Sequence, residues 1–425
     1  MIAIIIGVII VLLALYGTPL FVVIGGLALL AFHLTDTSLV AVILELYRLA
    51  STPVLIAIPL FTFAGYLMAE SKTPVRLINL SRALVGWIPG GLALVTILTC
   101  AVFTAFTGAT GVTIIALGGL LFPVLMKENY PENFSLGLIT GAGNIGVLFL
   151  PSLPIILYGL VAQVSVDQLF AAGIIPGTII LIIFGIYVTI HAGKQNLPTH
   201  PFSWKGLFKA LKEAAWEIPL PFIIVIGIYG GFFTATEAAA ITAFYVLIVE
   251  VFIYKDISLK ELPKVVNDSM VLVGGVLIIL GAALGLASYM IDAQIPMKIL
   301  GFMQQFIKSK FLFLLTLNIF LLIVGALLDI FSAILVVVPL IIPIASSFGI
   351  HPIHLGIVFL TNLSIGYLTP PVGMNLFIAS FRFDKPVLTL YRASFPFLIL
   401  LLIALLIITY IPELSLWLVE ILNIQ

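Results

Sequence analysis

The sequence is short of charge. Charged residues make up 8% of its 425 residues against 62% hydrophobic, where a soluble domain carries roughly 25% charged. That deficit excludes an ordinary water-soluble domain. Lysine plus arginine, 18, equals aspartate plus glutamate, 18, so no basic face offers itself to nucleic acid. A single cysteine, Cys100, excludes an internal disulfide and any multi-cysteine zinc or iron–sulfur site. There is no Walker sequence and no HExxH. The short alternating segments of a membrane β-barrel are missing too.

What is present is a succession of apolar runs of about 20 residues, each able to cross the hydrocarbon core as a helix. The expectation is an all-α polytopic membrane protein. The start, "MIAIIIGVIIVLLALYG", lacks a basic n-region and a small-residue cleavage pattern, so it reads as a retained first helix rather than a signal peptide. Residues 2–33 break at "YGTP", which predicts two short helices or one kinked at Pro19. "TSLVAVILELYRLAST", with Glu45 and Arg48, reads as a helix lying in the interface plane. "SKTPVRLINLSRALVGWIPGG", with Lys72, Arg76 and Arg82, is also interfacial. Uninterrupted spans are expected at 53–69, 168–192, 218–234, 235–254, 269–290 and within 386–422. Between them lie a charged linker at 193–217, the amphipathic piece "ISLKELPKVVND" and the connector "DAQIPMKILGFMQQFIKSK". Lys205, Lys209 and Lys212 mark a solvated or headgroup face of the linker, cytoplasmic if positive-inside bias applies.

Four segments are interrupted. Residues 91–126 are cut by "TGATG" at 107–111, leaving arms of about 24 Å against a core of about 30 Å, which favours a re-entrant hairpin over two crossings. Residues 311–347, interrupted at "GALLDIFS", form the second such hairpin. Broken helices are expected at 133–163, around "GNIGVLFLPSLP", and at 352–383, around "NLSIGYLTPPVGMN". The two sets correspond in order: Pro123 with Pro343, Gly146 with Gly366, Pro151 with Pro371. Five crossings separate equivalent points, and an odd count inverts the second copy. Inverted repeats with discontinuous helices in matching positions point to a secondary transporter whose site lies near the midplane. Carbonyls freed at the breaks can replace the water shell of a small cation, while helix amino termini favour an anion. Glycine permits the φ values required, and proline stops a helix without adding a competing amide.

Individual residues carry two readings each. Asp329 lies between two apolar arms, where an unpartnered carboxylate is costly; it either binds an ion or caps the second arm. Glu237, three residues after Thr234, reads first as half of a capping box. The Pro370–Pro371 pair reads as a site feature because Pro151 repeats it. His351 and His354, in "GIHPIH", read as a helix start rather than a metal pair. Asn375 is open between holding a substrate oxygen and pairing with nearby backbone. A proton-pumping subunit would need several ionisable groups at depth, and only Asp329 and Glu237 qualify. An enzyme is not expected, since there is no Ser–His pairing at depth and no aspartate dyad.

The stretches "GALLDIFSAILVVVPLIIPIASSFGIHPIHLGIVFLTNLSIGYLTPPVGMNLFIAS", "GNIGVLFLPSLPIILYG" and "GIYGGFFTATEAAAITAFYVLIVEVFIYKD" together resemble the large membrane subunit of TRAP (tripartite ATP-independent periplasmic) transporters over nearly the whole chain. The resemblance implies an elevator-type permease of the bacterial inner membrane. It would be driven by two or more sodium ions and served by a small membrane subunit and a periplasmic binding protein that delivers an organic anion such as sialic acid or a C4-dicarboxylate. It implies a first sodium site at Thr107, Gly108 and Thr110 with Gly143, Asn144, Gly146 and Pro151. A second would use Gly325, Asp329 and Ser332 with Gly366, Thr369 and Gly373. Substrate contacts would come from Asn375, Thr369 and Ser152. Family members often carry adjacent serines at the first tip, where this chain has "TGATG". The alternative is a stand-alone sodium–anion symporter of related architecture. No small-subunit segment is visible in these residues. The expected division is 1–52 as amino-terminal scaffold and interfacial arm, 53–192 as first repeat, 193–217 as linker, and 218–268 as scaffold and arm. Residues 269–385 form the second repeat and 386–425 the carboxy-terminal scaffold helices.

Overall fold

A computed structural model describes residues 18–35, 38–194, 201–303 and 305–422. The expectations for residues 1–17 and 195–200 lie outside the described residues. Every regular element described is helical, and among the described residues eight helices are long and apolar enough to cross a membrane, or nine if one bent pair is counted as a span.

The chain enters through α1 (Leu20–Leu34), which starts directly after Pro19, where the sequence places a break. Helix α2 (Val40–Ala50) follows, and then α3 (Ala57–Glu70), preceded by a short 3-10 turn. Next come α4 (Thr73–Val85), α5 (Gly91–Thr107) and α6 (Thr110–Lys127). The first broken helix is α7 (Glu132–Ala142), a 3-10 turn at 145–148, and α8 (Leu153–Ala162), bent by 44° at the break. Helix α9 (Val166–Lys194) ends the first half. The second half repeats the plan with α14 (Ile295–Met303), α15 (Lys310–Leu327) and α16 (Ile330–Ser347). Its broken helix is α17 (Pro352–Gly366) and α18 (Met374–Phe383). Both expected interruptions therefore fall where the sequence put them, at 107–110 and 327–330. The peptide bonds preceding Pro151 and Pro371 are both cis.

Helix lengths depart from expectation in three places. The linker at 193–217 contains a helix, α10 (Trp204–Glu213), capped by Ser203, whose hydroxyl accepts from the Gly206 N–H. The amphipathic piece before residue 269 is not separate: it merges into α13 (Leu262–Asp292), because Pro263 sits in the first turn, where a missing N–H costs nothing. Residues 218–234 yield only α11 (Pro219–Tyr229), stopped by the Gly230–Gly231 pair. Helix α12 (Ala235–Leu247) continues as a π-helical turn to Ile253. The capping box of Thr234 and Glu237 is formed in full.

The packing outlines two groups of helices, which meet where α3 packs on α5 and α13 on α16. Helices α1, α2 and α3 pack on α13, and α3 also packs on α12. The hairpins and broken helices form the other group, and they interlock crosswise: α6 of the first half packs on α18 of the second, and α16 on α8. Helices α19 (Val387–Tyr410) and α20 (Glu413–Ile421) pack chiefly on α7, α9 and α17, within the second group rather than on α1, α3 and α13. The reason is close approach. A Cβ at Gly137 of α7 would lie 2.0 Å from the Ala393 carbonyl oxygen of α19, so only glycine lets α7 and α19 meet.

An ionic cluster fixes α4. The Arg76 guanidinium donates to Glu217, to Glu250 at 3.0 Å and to Asp256 at 2.6 Å, and lies 3.9 Å from the centre of the Tyr254 ring. Thr73 donates to Glu250 at 2.7 Å. Burial works against the arginine's charge, but hydrogen bonding to Asp256 and attraction from Glu217 and Glu250 outweigh it and raise its pKa further. Helix α4 is thereby tied to residues 217–256.

Candidate functional site

The first tip is a turn between two helix ends. Gly108 takes φ +65°, and its N–H returns to the Thr104 carbonyl at 2.8 Å. A side chain in that left-handed conformation would be strained, and a Cβ there would also press on Leu153 at 2.8 Å. Across the tip the hydroxyls of Thr104 and Thr113 meet at 2.7 Å, and Thr104 donates to the Gly143 carbonyl at 3.0 Å. Thr107 donates to Phe103 at 3.0 Å. The last carbonyls of α5 have no helical partner, so the tip is rich in oxygen.

The second tip is closed by a carboxylate. Asp329 is the N-cap of α16: one oxygen accepts from the Phe331 and Ser332 amides at 3.0 Å each, and the other accepts from the Ser332 hydroxyl. Opposite it, the Tyr367 hydroxyl accepts the Ile330 N–H, and the Gly373 N–H reaches the Ala326 carbonyl at 3.3 Å. The capping reading of Asp329 is thus realised geometrically, and its described hydrogen bonds stay within its own tip.

Each broken helix presses on its own hairpin through an equivalent glycine. A Cβ at Gly146 would lie 2.3 Å from the Ala101 oxygen and 2.8 Å from the Ala105 nitrogen; one at Gly366 would lie 2.4 Å from the Gly325 carbonyl carbon. The structure thus brings Ala101, Thr104 and Thr110 against Gly143–Gly146 in one half, and Gly325, Gly366 and Gly373 together in the other, while Thr107 contacts Phe103 and Gly108 contacts Leu153.

Asn375 joins the halves. It is fully buried, accepting from the Thr110 hydroxyl at 2.8 Å and donating to the Asn144 side-chain oxygen at 2.9 Å. Its own N–H donates to the Tyr367 carbonyl at 3.2 Å. A continuous hydrogen-bonded path therefore runs from Ile330 through Tyr367 and Asn375 to Asn144 and Thr110, connecting the two tips. Both polar atoms of the Asn375 side chain are engaged by protein, and neither partner is neighbouring backbone, the alternative the sequence offered. Thr369 donates to Ile365 at 3.0 Å. Ser152, fully buried beside Pro151, has a hydroxyl with no hydrogen-bond partner. His351 caps α17, and His354 bonds Ser415 and the Thr409 carbonyl at 3.2 Å each.

The family model for the tripartite ATP-independent periplasmic transporter, DctM component, matches residues 6–414. The chain belongs to the DctM family of large TRAP permeases. It is 37% identical to the C4-dicarboxylate TRAP transporter large permease protein DctM of Pseudomonas aeruginosa, over 92% of each chain. It is 35% identical to the ectoine/5-hydroxyectoine large permease UehC of Ruegeria pomeroyi, over 86% of this chain and 85% of that protein. The isethionate permease DctMQ of Oleidesulfovibrio alaskensis is 35% identical over 85% of this chain, which spans 58% of that longer protein. Among solved structures, the Alcanivorax borkumensis YdaH transporter has the same fold, with TM-score 0.63 at 12% identity over 87% of each chain. The protein is thus a multi-pass inner-membrane TRAP permease of all-α fold, and membership of a tripartite family implies partner proteins.

In this TRAP permease, three tip residues escaped the sequence reading: Thr104, Thr113 and Tyr367. Tyr367 lay inside the opening of the second break, "GYLTPP", but reads as apolar filler. Thr104 and Thr113 sit nine residues apart on either side of "TGATG", and a polar pair straddling a tip is the signal that would have found them.

Proposed function

We propose that this chain is the large permease subunit of a sodium-coupled importer of organic anions that works with a small membrane subunit and a soluble periplasmic binding protein. Two relatives at 35–37% identity are named for C4-dicarboxylates, which makes a C4-dicarboxylate or similar small acid the first substrate class. Isethionate and ectoine, named for other relatives, widen it to compact anions and zwitterions.

The observation carrying the mechanism is the path through Asn375. Two ion clamps that must move together need a rigid connection, and buried, fully paired polar networks supply rigidity. In this reading sodium ions enter the oxygen-rich tips, Thr107–Thr110 with Gly143–Gly146, and Gly325–Ser332 with Gly366–Gly373. Hard cations of this kind prefer such carbonyl, hydroxyl and carboxylate oxygens. The anion then binds near the amino termini of α8 and α18, where bound cations and helix dipoles oppose its charge. In this reading Ser152, whose hydroxyl is unpaired, and Thr369 contact it. The interlocked hairpins and broken helices, with α19 and α20, then slide as one body against α1, α3, α12 and α13, an elevator movement.

The test is uptake of a radiolabelled carboxylate panel into proteoliposomes holding the chain with its co-purified partner, with and without a sodium gradient and the binding protein. Uptake that requires both supports the proposal. Sodium-driven uptake without the binding protein would replace it with a stand-alone symporter, and uptake indifferent to sodium would remove the coupling ion.

A further inference from the structure

Far from the tips, α4 and α10 enclose a cavity of about 390 Å³ lined by Asn79, Arg82, Trp87, Phe202, Lys209 and Glu213. Arg82 lines it, and its Nε, buried behind the cavity wall, has no hydrogen-bond partner, an expensive state for a charged donor. Lys209 is only loosely held, with its ammonium 3.9 Å from Glu213. Two cations therefore face one carboxylate, leaving the cavity net positive.

The surroundings say where the balancing anion comes from. Trp87, Phe202 and Trp204 form an aromatic row, with ring centres 6.3 and 5.0 Å apart in edge-to-face contacts. On α10, Trp204 and Phe208 lie four residues apart on one face, each 67% exposed. Lys205, Lys209 and Lys212 share an adjacent face. This is the pattern of a helix lying in the membrane interface, with aromatic rings toward the acyl boundary and ammonium groups toward the headgroups. A soluble anion site would gain nothing from exposing those rings.

We propose that the cavity holds the phosphate of a membrane phospholipid. The phosphodiester accepts from Arg82 through the planar fork that suits phosphate oxygens, with Lys209 as a second contact, while the acyl chains leave along Phe202, Trp204 and Phe208. The bound lipid would then pin α10 to α4, the arm that leads into the first hairpin. The inference is independent of which ion or substrate is carried.

The experiment uses the full-length chain, delipidated in detergent, with bound lipid counted by native mass spectrometry and stability followed by thermal unfolding. The probes are phosphatidylglycerol, phosphatidylethanolamine, diacylglycerol and inorganic phosphate. Retention of phospholipid, with a raised unfolding midpoint and no response to diacylglycerol, is expected. Arg82→Gln should weaken phospholipid binding about tenfold, as loss of a charge-assisted bond does. Arg82→Lys should recover part of it, and Lys298→Gln on α14, away from the cavity and from α10, should change nothing. Equal binding by Arg82→Gln, or by diacylglycerol, overturns the site. Saturation by inorganic phosphate alone overturns the lipid assignment. Should Arg82→Gln fail to fold, Arg82→Lys and Lys209→Gln carry the same comparison.

Discussion

The first hairpin joins its arms near the tip, and the second joins them mainly at its open end. Across the first, Thr104 and Thr113 meet at 2.7 Å and α5 packs on α6. In the second, α15 packs chiefly on α17, and α16 on α8 and α13. Between α14, α15 and α16 lies an apolar cavity of about 300 Å³, lined by residues such as Met303, Leu317 and Ile341. The arms leading into the hairpins differ as well. Helix α4 is bound by Arg76 to three carboxylates, whereas α14 makes no described ion pair. Matched spacing in sequence has thus produced one hairpin closed by a polar pair near its tip and anchored by charge, and another whose arms are joined at the open end, where Phe313 stacks on Phe348 and Lys310 donates to the Gly349 carbonyl.

The largest effect should come from the anchor. Arg76→Ala leaves Glu217, Glu250 and Asp256 facing one another in a buried setting, which typically costs about 3–5 kcal/mol. Lys298→Ala on the corresponding arm should leave the unfolding midpoint near wild type. A similar response from both would erase the contrast between the arms.

Next come the glycines where the halves agree. Gly146→Ala and Gly366→Ala each force a Cβ to within 2.3–2.4 Å of backbone, a clash worth about 1–3 kcal/mol or more. Thermal unfolding should show losses of similar size; tolerance at one position alone would mean that the two broken helices do not pack on their hairpins in the same way.

A smaller, sharper measurement addresses the link between the tips. In a double-mutant cycle of Thr110→Val and Asn375→Leu, stability should show a coupling of about 1 kcal/mol, and a value near zero would dispose of the bridge. The smallest stability change is expected of Asp329→Asn. Asparagine caps a helix about as well as aspartate, so the midpoint should hold within a few tenths of a kcal/mol while the sodium response of uptake weakens. An unchanged sodium response would leave Asp329 as a cap alone.

Much of this was legible in the residues. The tips at 107–110 and 327–330 announced themselves because glycine and polar residues interrupt otherwise continuous apolar runs, and a helix cannot ignore such a break. Pro151 and Pro371 marked both broken helices for the same reason. The packing partners of the carboxy-terminal helices were not legible because apolar faces look alike in sequence: nothing in Phe397 or Leu401 says whether it will meet α7 or α1. Residues 262–268 were set apart because their charges suggested a separate surface piece, although a helix tolerates charge where it emerges from the membrane.

What the sequence determined by itself is the solvent, the helical class, the repeat and the positions of the interruptions, since composition and local backbone chemistry settle each of these over a few to about 20 residues. What only the tertiary structure decided is which interruption meets which. Thr110 and Asn375 are 265 residues apart, and Arg76 finds Glu217 across 141. Such pairs form because packing the apolar faces brings them together, and no local pattern encodes the direction in which a buried amide or guanidinium will find its partner.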